Sequence, residues 1–210
     1  MSGAIFEGTL LNLRPFLACV FAGFAIKIMD DYLDGPLDAL VGKISWSTRL
    51  EKGALPYALM VFCLGVAADD GWAVTLFWAS YALGMRGDLQ RSLLSRLTGW
   101  QEIVLTGLCI SAVYGSRALG TSWLAVFIVQ AWDDLLDKDI DKLTGAHNWA
   151  IQWGSTETAI SLVIAVSLLS LLHPVKLLLV LISYILITRL MRLLISTGGR
   201  ADVDTDIVVS

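Results

Sequence analysis

Nine of the chain's 19 acidic residues fall in two short windows, Asp30, Asp31, Asp34 and Asp38 in one, and Asp133, Asp134, Asp137, Asp139 and Asp141 in the other. Asp31, Asp34 and Asp38 follow a DxxDxxxD spacing, and Asp134, Asp137 and Asp141 repeat it. At 3.6 residues per turn these positions share a helix face, so each motif presents a column of three carboxylates. Like charges held that close must shift toward neutral forms or be neutralised by cations. Oxygen-only donors suit a hard divalent ion, and Mg2+ binds through one or two carboxylates while keeping water and substrate phosphates in its shell. Two facing columns bridged by Mg2+ therefore predict a diphosphate substrate. The plainer reading of either column alone is a set of solvated caps beside lipid headgroups; the repeated spacing, each time at the end of an apolar run, favours the metal site.

Basic side chains near these windows fit the same chemistry, because Arg forks and Lys point charges bind phosphate oxygens. Arg49, Lys52, Arg86, Arg91 and Arg96 each read equally well as topology signals. Lys27 stands one turn before Asp31 and either pairs with it or snorkels to the interface.

The elements that must position these groups are membrane helices. Over 210 residues the chain is 56% hydrophobic and only 16% charged, against about 25% in ordinary soluble domains, and its mean hydropathy is +0.70. Apolar runs lie at roughly 15–29, 54–68, 72–85, 103–114, 122–132, 159–172 and 175–195. Continuous rather than alternating apolar character selects helices over a barrel. The expected fold is an all-α polytopic bundle of about seven transmembrane helices around a central cavity. It forms a single domain over 1–196, with a polar, frayed C-terminal tail at 197–210. Several runs are shorter than the roughly 20 residues a spanning helix needs, so helices are expected to continue into the Asp windows. Pro36 predicts a bend or an end to the first helix.

Lys and Arg concentrate in the odd loops and at the C-terminal end, whereas the even loops hold only Arg117 and Lys176. The positive-inside rule then places both Asp motifs and the C-terminus in the cytoplasm of a multi-pass cell-membrane protein, with the N-terminus outside. Cys19, Cys63 and Cys109 sit in apolar runs without metal or disulfide spacing and read as small buried hydrophobes. The first ten residues lack the basic region of a cleaved signal. No basic, aromatic-interleaved stripe supports nucleic-acid binding.

At the segment Asp30-Asp31-Tyr32-Leu33-Asp34-Gly35-Pro36-Leu37-Asp38 the chain resembles the UbiA superfamily of intramembrane prenyltransferases, whose first motif is NDxxDxxxD; Asp30 stands where Asn is usual. The window Asp133 to Asp141 is similar to the second motif, and Gly145 to Gly154 follows it at the family's spacing. The segment after the first motif is degraded to Arg49-Leu50-Glu51-Lys52-Gly53, and Arg96 represents a further basic element. The resemblance spans about Phe16 to Leu194. It implies a helical bundle whose cavity opens to lipid, Mg2+ as cofactor, and an isoprenyl diphosphate ionised so that its allylic cation alkylates a hydrophobic aromatic or lipid acceptor. Asp31, Asp34 and Asp38 would hold one metal, and Asp133 or Asp134 with Asp137 and Asp141 the other; the catalytic set is Asp31, Asp34, Asp38, Asp134, Asp137 and Asp141. Arg49, Lys52, Arg96, Lys138, Lys142 and Trp132 would bind substrate, Trp132 by facing the cation. Asp30 and Asp139 read as supporting or capping residues. Family members usually have nine helices, so one is missing at each end, and a second copy of the chain or another partner would complete the wall.

Three other readings compete. Asp31-Tyr32-Leu33-Asp34-Gly35 satisfies the opening of a CDP-alcohol phosphotransferase motif, but Ala39-Leu40 breaks its continuation. A terpene cyclase or diphosphate hydrolase would keep the fold and metal while the cation cyclises or meets water. A non-catalytic scaffold would keep only the fold, although idle carboxylates at a membrane edge are expensive.

Overall fold

The computed structural model describes residues 13–40, 50–145 and 147–206. Arg49 lies outside the described residues, as do the side chains of Asp38 and Arg86. The protein is all-α: among the described residues every regular element is helical. In chain order these are α1 (Leu13–Leu40), α2 (Ala54–Ala68), α3 (Asp70–Gly84), α4 (Gly99–Tyr114), α5 (Ser116–Leu136), α6 (Lys138–Thr144), α7 (Trp149–Gln152), α8 (Ser155–Leu172) and α9 (Pro174–Asp206), with 3-10 turns at Glu51–Gly53 and Met85–Asp88. Each of the seven apolar runs forms the body of a helix of 15 residues or more. Two stretches, Ser155–Leu172 and Pro174–Leu193, are long and apolar enough to cross a membrane by length and composition among the described residues.

Several helices outrun their apolar stretches. α1 continues through Pro36 to Leu40, since one missing backbone bond need not end a helix already propagating on either side. The backbone of α9 stays helical to Asp206, past the point where a frayed tail is expected. Helix ends follow local chemistry elsewhere. Asp69 caps α3 by accepting from the Trp72 amide at 3.0 Å. Gly115, with φ of +87°, makes the tight reversal between α4 and α5, a conformation that a Cβ would oppose.

Packing is closest where side chains are smallest. Ala18, Ala22 and Ala25 of α1 are fully buried, as are Ala54, Ala58 and Gly65 of α2 and Ala73 of α3. A Cβ on Gly65 would lie 3.3 Å from the Ala22 amide nitrogen, the close backbone approach that small residues permit between packed helices. A second core joins α3, α5, α8 and α9 through Leu76, Phe127, Ile128, Leu162, Leu169 and Leu179. Outward faces stay apolar: Leu59, Leu108, Val113, Val163, Leu171 and Ile185 are all exposed.

Candidate functional site

Four helices, α1, α3, α5 and α9, enclose a cavity of about 120 Å³. Tyr184 of α9 meets Asp133 of α5, and eight residues earlier Lys176 meets Ser122 of α5, so these two walls run in the same direction. Cys19, Leu76, Val126 and Val180 line one end of the cavity; Lys27, Asp30, Asp133 and Tyr184 line the other; Gly23, Ser80, Gln130 and Ser183 lie along its length. The chamber thus has one apolar end, one charged rim and a few uncharged polar side chains between them.

The rim joins the two Asp motifs through their leading residues. Asp30 and Asp133 both line the cavity, and Asp31, Asp34 and Asp133 all lie close enough to act on the charge of Asp30. Lys27 pairs with Asp31 at 3.3 Å and feels Asp30 and Asp133 as well. The Tyr184 hydroxyl donates to Asp133 Oδ1 at 2.6 Å. Asp30, expected to be a supporting residue, is exposed and is among the residues that line the cavity. The helical stripe Cys19, Gly23, Lys27, Asp30 carries it there with the usual three- and four-residue steps.

Other expected site residues are placed differently. Asp134 Oδ2 accepts from the Trp149 amide at 2.6 Å, and buried Asn148 donates to Asp141 Oδ2 and to the Asp134 carbonyl, both at 2.7 Å. These bonds fasten the α6–α7 segment under the end of α5, so Asp134 and Asp141 have structural partners. Asp34 and Asp137 are exposed, with Asp137 near enough to act on Tyr184. Lys138 donates to Ser155 Oγ at 2.5 Å, tying α6 to the start of α8. Lys52, Lys142 and Asp139 are exposed. Arg96 is exposed in the loop before α4 with φ of +64°. Trp132 is 51% exposed and is not among the cavity-lining residues; its position on α5 lies one step before Asp133, about 100° around the helix.

Lys176, counted by its sequence position among loop charges, is buried inside α9. Its ammonium donates to Ser122 Oγ at 2.8 Å and Thr121 Oγ1 at 3.2 Å, and sits 4.8 Å from the centre of the Trp72 ring.

Among the described residues no three His, Cys, Asp or Glu side chains form a ready-made metal group. The donor chemistry at the rim nonetheless fits Mg2+: Asp30 and Asp133 offer hard carboxylate oxygens at one cavity end, and Mg2+ ordinarily takes one or two such ligands beside phosphate and water. No family model, curated protein sequence or solved structure matches the chain.

Proposed function

We propose that the chain is an intramembrane prenyltransferase: it binds an isoprenyl diphosphate at the charged rim and transfers the prenyl group to a hydrophobic acceptor. The observation that carries this reading is the joining of both Asp motifs, through Asp30 and Asp133, at one end of a largely apolar cavity. An amphiphile with an anionic head and a hydrocarbon tail matches that polarity.

Asp30 and Asp133 would hold Mg2+, which when bound neutralises the diphosphate and the leaving pyrophosphate. Lys27 adds a cation at the same rim, oriented by Asp31. The allylic carbon–oxygen bond breaks with its electron pair leaving on pyrophosphate. The acceptor supplies the pair for the new bond to the allylic carbon, and its displaced proton passes to a rim carboxylate. The apolar walls keep water from capturing the cation.

The membrane setting is part of the proposal. Seven helices cross a cell membrane with both Asp motifs and the C-terminus cytoplasmic. Support comes from the two apolar helices of spanning length and from the exposed apolar faces of α2, α4, α8 and α9, since soluble proteins rarely expose patches of that extent.

The test is pyrophosphate release by the purified full chain with Mg2+ and a panel of allylic diphosphates. Asp30→Ala and Asp133→Ala should each lower release by about 100-fold or more, as loss of a charge-stabilising group in a site does, while Asp139→Asn leaves it unchanged. Release that survives both rim substitutions refutes the mechanism. A prenylated acceptor among the products identifies transfer; a free hydrocarbon or alcohol identifies cyclisation or hydrolysis.

A further inference from the structure

The loop between α3 and α4 is folded on itself. An isolated antiparallel bridge joins Ser92 to Thr98, the Leu93 amide donates to the Leu97 carbonyl at 2.8 Å, and the Arg96 amide donates to the Leu93 carbonyl at 2.9 Å. Below them the Trp100 amide donates to the Leu89 carbonyl at 3.1 Å. Leu94, Ser95 and Arg96 are left as a three-residue tip, whose last position takes the left-handed backbone usual for such hairpins. Glycine or asparagine fits that conformation most easily, yet Arg96 holds it at φ of +64°. Leu94 at the tip is fully exposed, and Leu89 and Trp100 are exposed at the base. An exposed leucine alone says little. Here it shares a hairpin with charges mostly of one sign: residues 85–100 hold Arg86, Arg91 and Arg96 against the single acid Asp88, in a chain whose net charge is -4. Asp88 is paired with Arg91 at 3.6 Å, whereas Arg96 makes no ion pair among the described residues.

The tip also stands at the right depth. Gly99 and Trp100 open α4, and tryptophan at a helix end suits the membrane–water boundary. Ser95 is three residues before Thr98, so the tip extends at most about 10 Å from that end, against a headgroup layer roughly 5–8 Å deep. Arg91, Leu94 and Arg96 are not among the cavity-lining residues, so these arginines are not part of the diphosphate rim. We propose that the hairpin is a lipid-binding wedge: Leu94 enters the cytoplasmic face of the bilayer, and Arg96 pairs with the phosphate of an anionic headgroup. Apolar groups beside basic ones are the composition by which interfacial elements hold such surfaces. The inference rests on the membrane reading above, with this loop on the cytoplasmic side, and not on prenyl transfer.

The experiment places a nitroxide label at Ser95→Cys, in the full chain with Cys19, Cys63 and Cys109 replaced by alanine, and reads its relaxation by oxygen against that by a water-soluble nickel chelate. The chain sits in nanodiscs of phosphatidylcholine alone or mixed with phosphatidylglycerol. A second label, at Leu108→Cys on the exposed face of α4, marks the lipid. The ratio of lipid-immersed to water-facing label at position 95 should be about fivefold higher in the anionic discs, the effect of one arginine at such a surface. Arg96→Gly should erase that gain without harming the fold, because glycine relaxes the positive φ. NaCl at about 1 M should erase it too, since the screening length then falls to about 3 Å. Leu94→Asn should lower immersion about tenfold in either lipid. A label at 95 that stays water-facing while the one at 108 is immersed overturns the wedge and leaves the membrane reading standing. Water-facing labels at both positions overturn the membrane reading and the wedge with it. Immersion that ignores both phosphatidylglycerol and Arg96→Gly, or spin–spin broadening that shows the tip meeting a second copy of the chain, overturns the lipid assignment. Pyrophosphate release enters none of these readouts and tests prenyl transfer separately.

Discussion

Lys176 allows a stability prediction to be worked from donor and acceptor bookkeeping. Its ammonium is 2% exposed and makes no ion pair among the described residues. It donates instead to Ser122 Oγ, Thr121 Oγ1 and, at 3.4 Å, the Ala118 carbonyl. Each hydroxyl has its proton placed elsewhere. Thr121 donates to the Arg117 carbonyl at 2.9 Å, and Thr75 donates to the Gly71 carbonyl at 2.6 Å. Because the Thr75 proton is spent, the 2.7 Å contact between Ser122 and Thr75 must be donated by Ser122. Replacing Lys176 by Met, similar in length and apolar, therefore strands no donor. The expected cost is about 0–1 kcal/mol, because losing a buried charge together with its desolvation is often nearly neutral. Ser122→Ala is the opposite case. It leaves a buried ammonium short of one acceptor, about 1.5–3 kcal/mol for a bond to a charged group, and removes the bond to Thr75, about 1 kcal/mol more. In the Lys176→Met background Ser122→Ala should cost only that second amount, giving a coupling energy of about 1.5–3 kcal/mol. Thermal unfolding of the detergent-solubilised chain can read this, at about 2–4 °C per kcal/mol for a protein of this size. Equal costs for the two single variants, or additivity in the double variant, would refute the assignment of Ser122 as the principal acceptor.

Asn148→Ala should cost about 3 kcal/mol, since it removes two donations to the second Asp motif and the cap on the Ile151 amide; hydrogen exchange at Trp149 and Ile151 should quicken, and unchanged protection would contradict the fastening role. Gly107→Val should cost about 1–3 kcal/mol by overpacking, because even a Cβ there lies 2.7 Å from Trp78 Cζ2; Trp78→Phe in the same chain should recover part of the loss, and no recovery would exonerate the ring. His173 lies between α8 and α9, where burial and then the nearby Lys176 charge hold its pKa below the ordinary 6.5, and its Nδ1 accepts from the Lys176 amide. The folded state thus disfavours protonation, so this contribution is full above about pH 6.5 and is lost as pH falls below it. A pH–stability profile that His173→Gln does not flatten would count against this. For the topology, cysteines placed at Lys52 and Lys142 should react with a charged maleimide only from the cytoplasmic side, and one at Arg117 only from the other; any two of these reacting from the wrong sides would reverse or break the seven-span arrangement.

The seven long helices were legible because each rests on a continuous apolar run; their ends, and the short α6 and α7, were not. Ser116 to Thr121 and Asp133 to Leu136 extend α5 beyond its run, where polar residues simply continue backbone hydrogen bonding already nucleated. The fastening of the second motif had a readable signal: Asn148 ahead of Trp149-Ala150-Ile151 is an N-cap position, and Asn148 accepts from Ile151 as such a cap does. Lys176 had none, since a lysine inside an apolar run says nothing about its partners on other helices. The rim shows most clearly where periodicity stops. A DxxDxxxD spacing states that Asp31, Asp34 and Asp38 share a face, but not which way that face turns. On α1 the rotation is set by the buried stripe Ala18, Ala22 and Ala25, of which Ala18 and Ala22 pack against α2 and α3, because only small side chains let these helices approach so closely. One step along a helix is 100° of rotation, so with that alanine stripe turned to its neighbours, Cys19, Gly23, Ile26 and Asp30, each one residue further on or nearly so, turn to the cavity. The spacing of alanines, not of aspartates, therefore decides that Asp30 rather than Asp31 lines the cavity, and Ala22→Leu should disturb the site from the far side of the helix without touching any acidic residue.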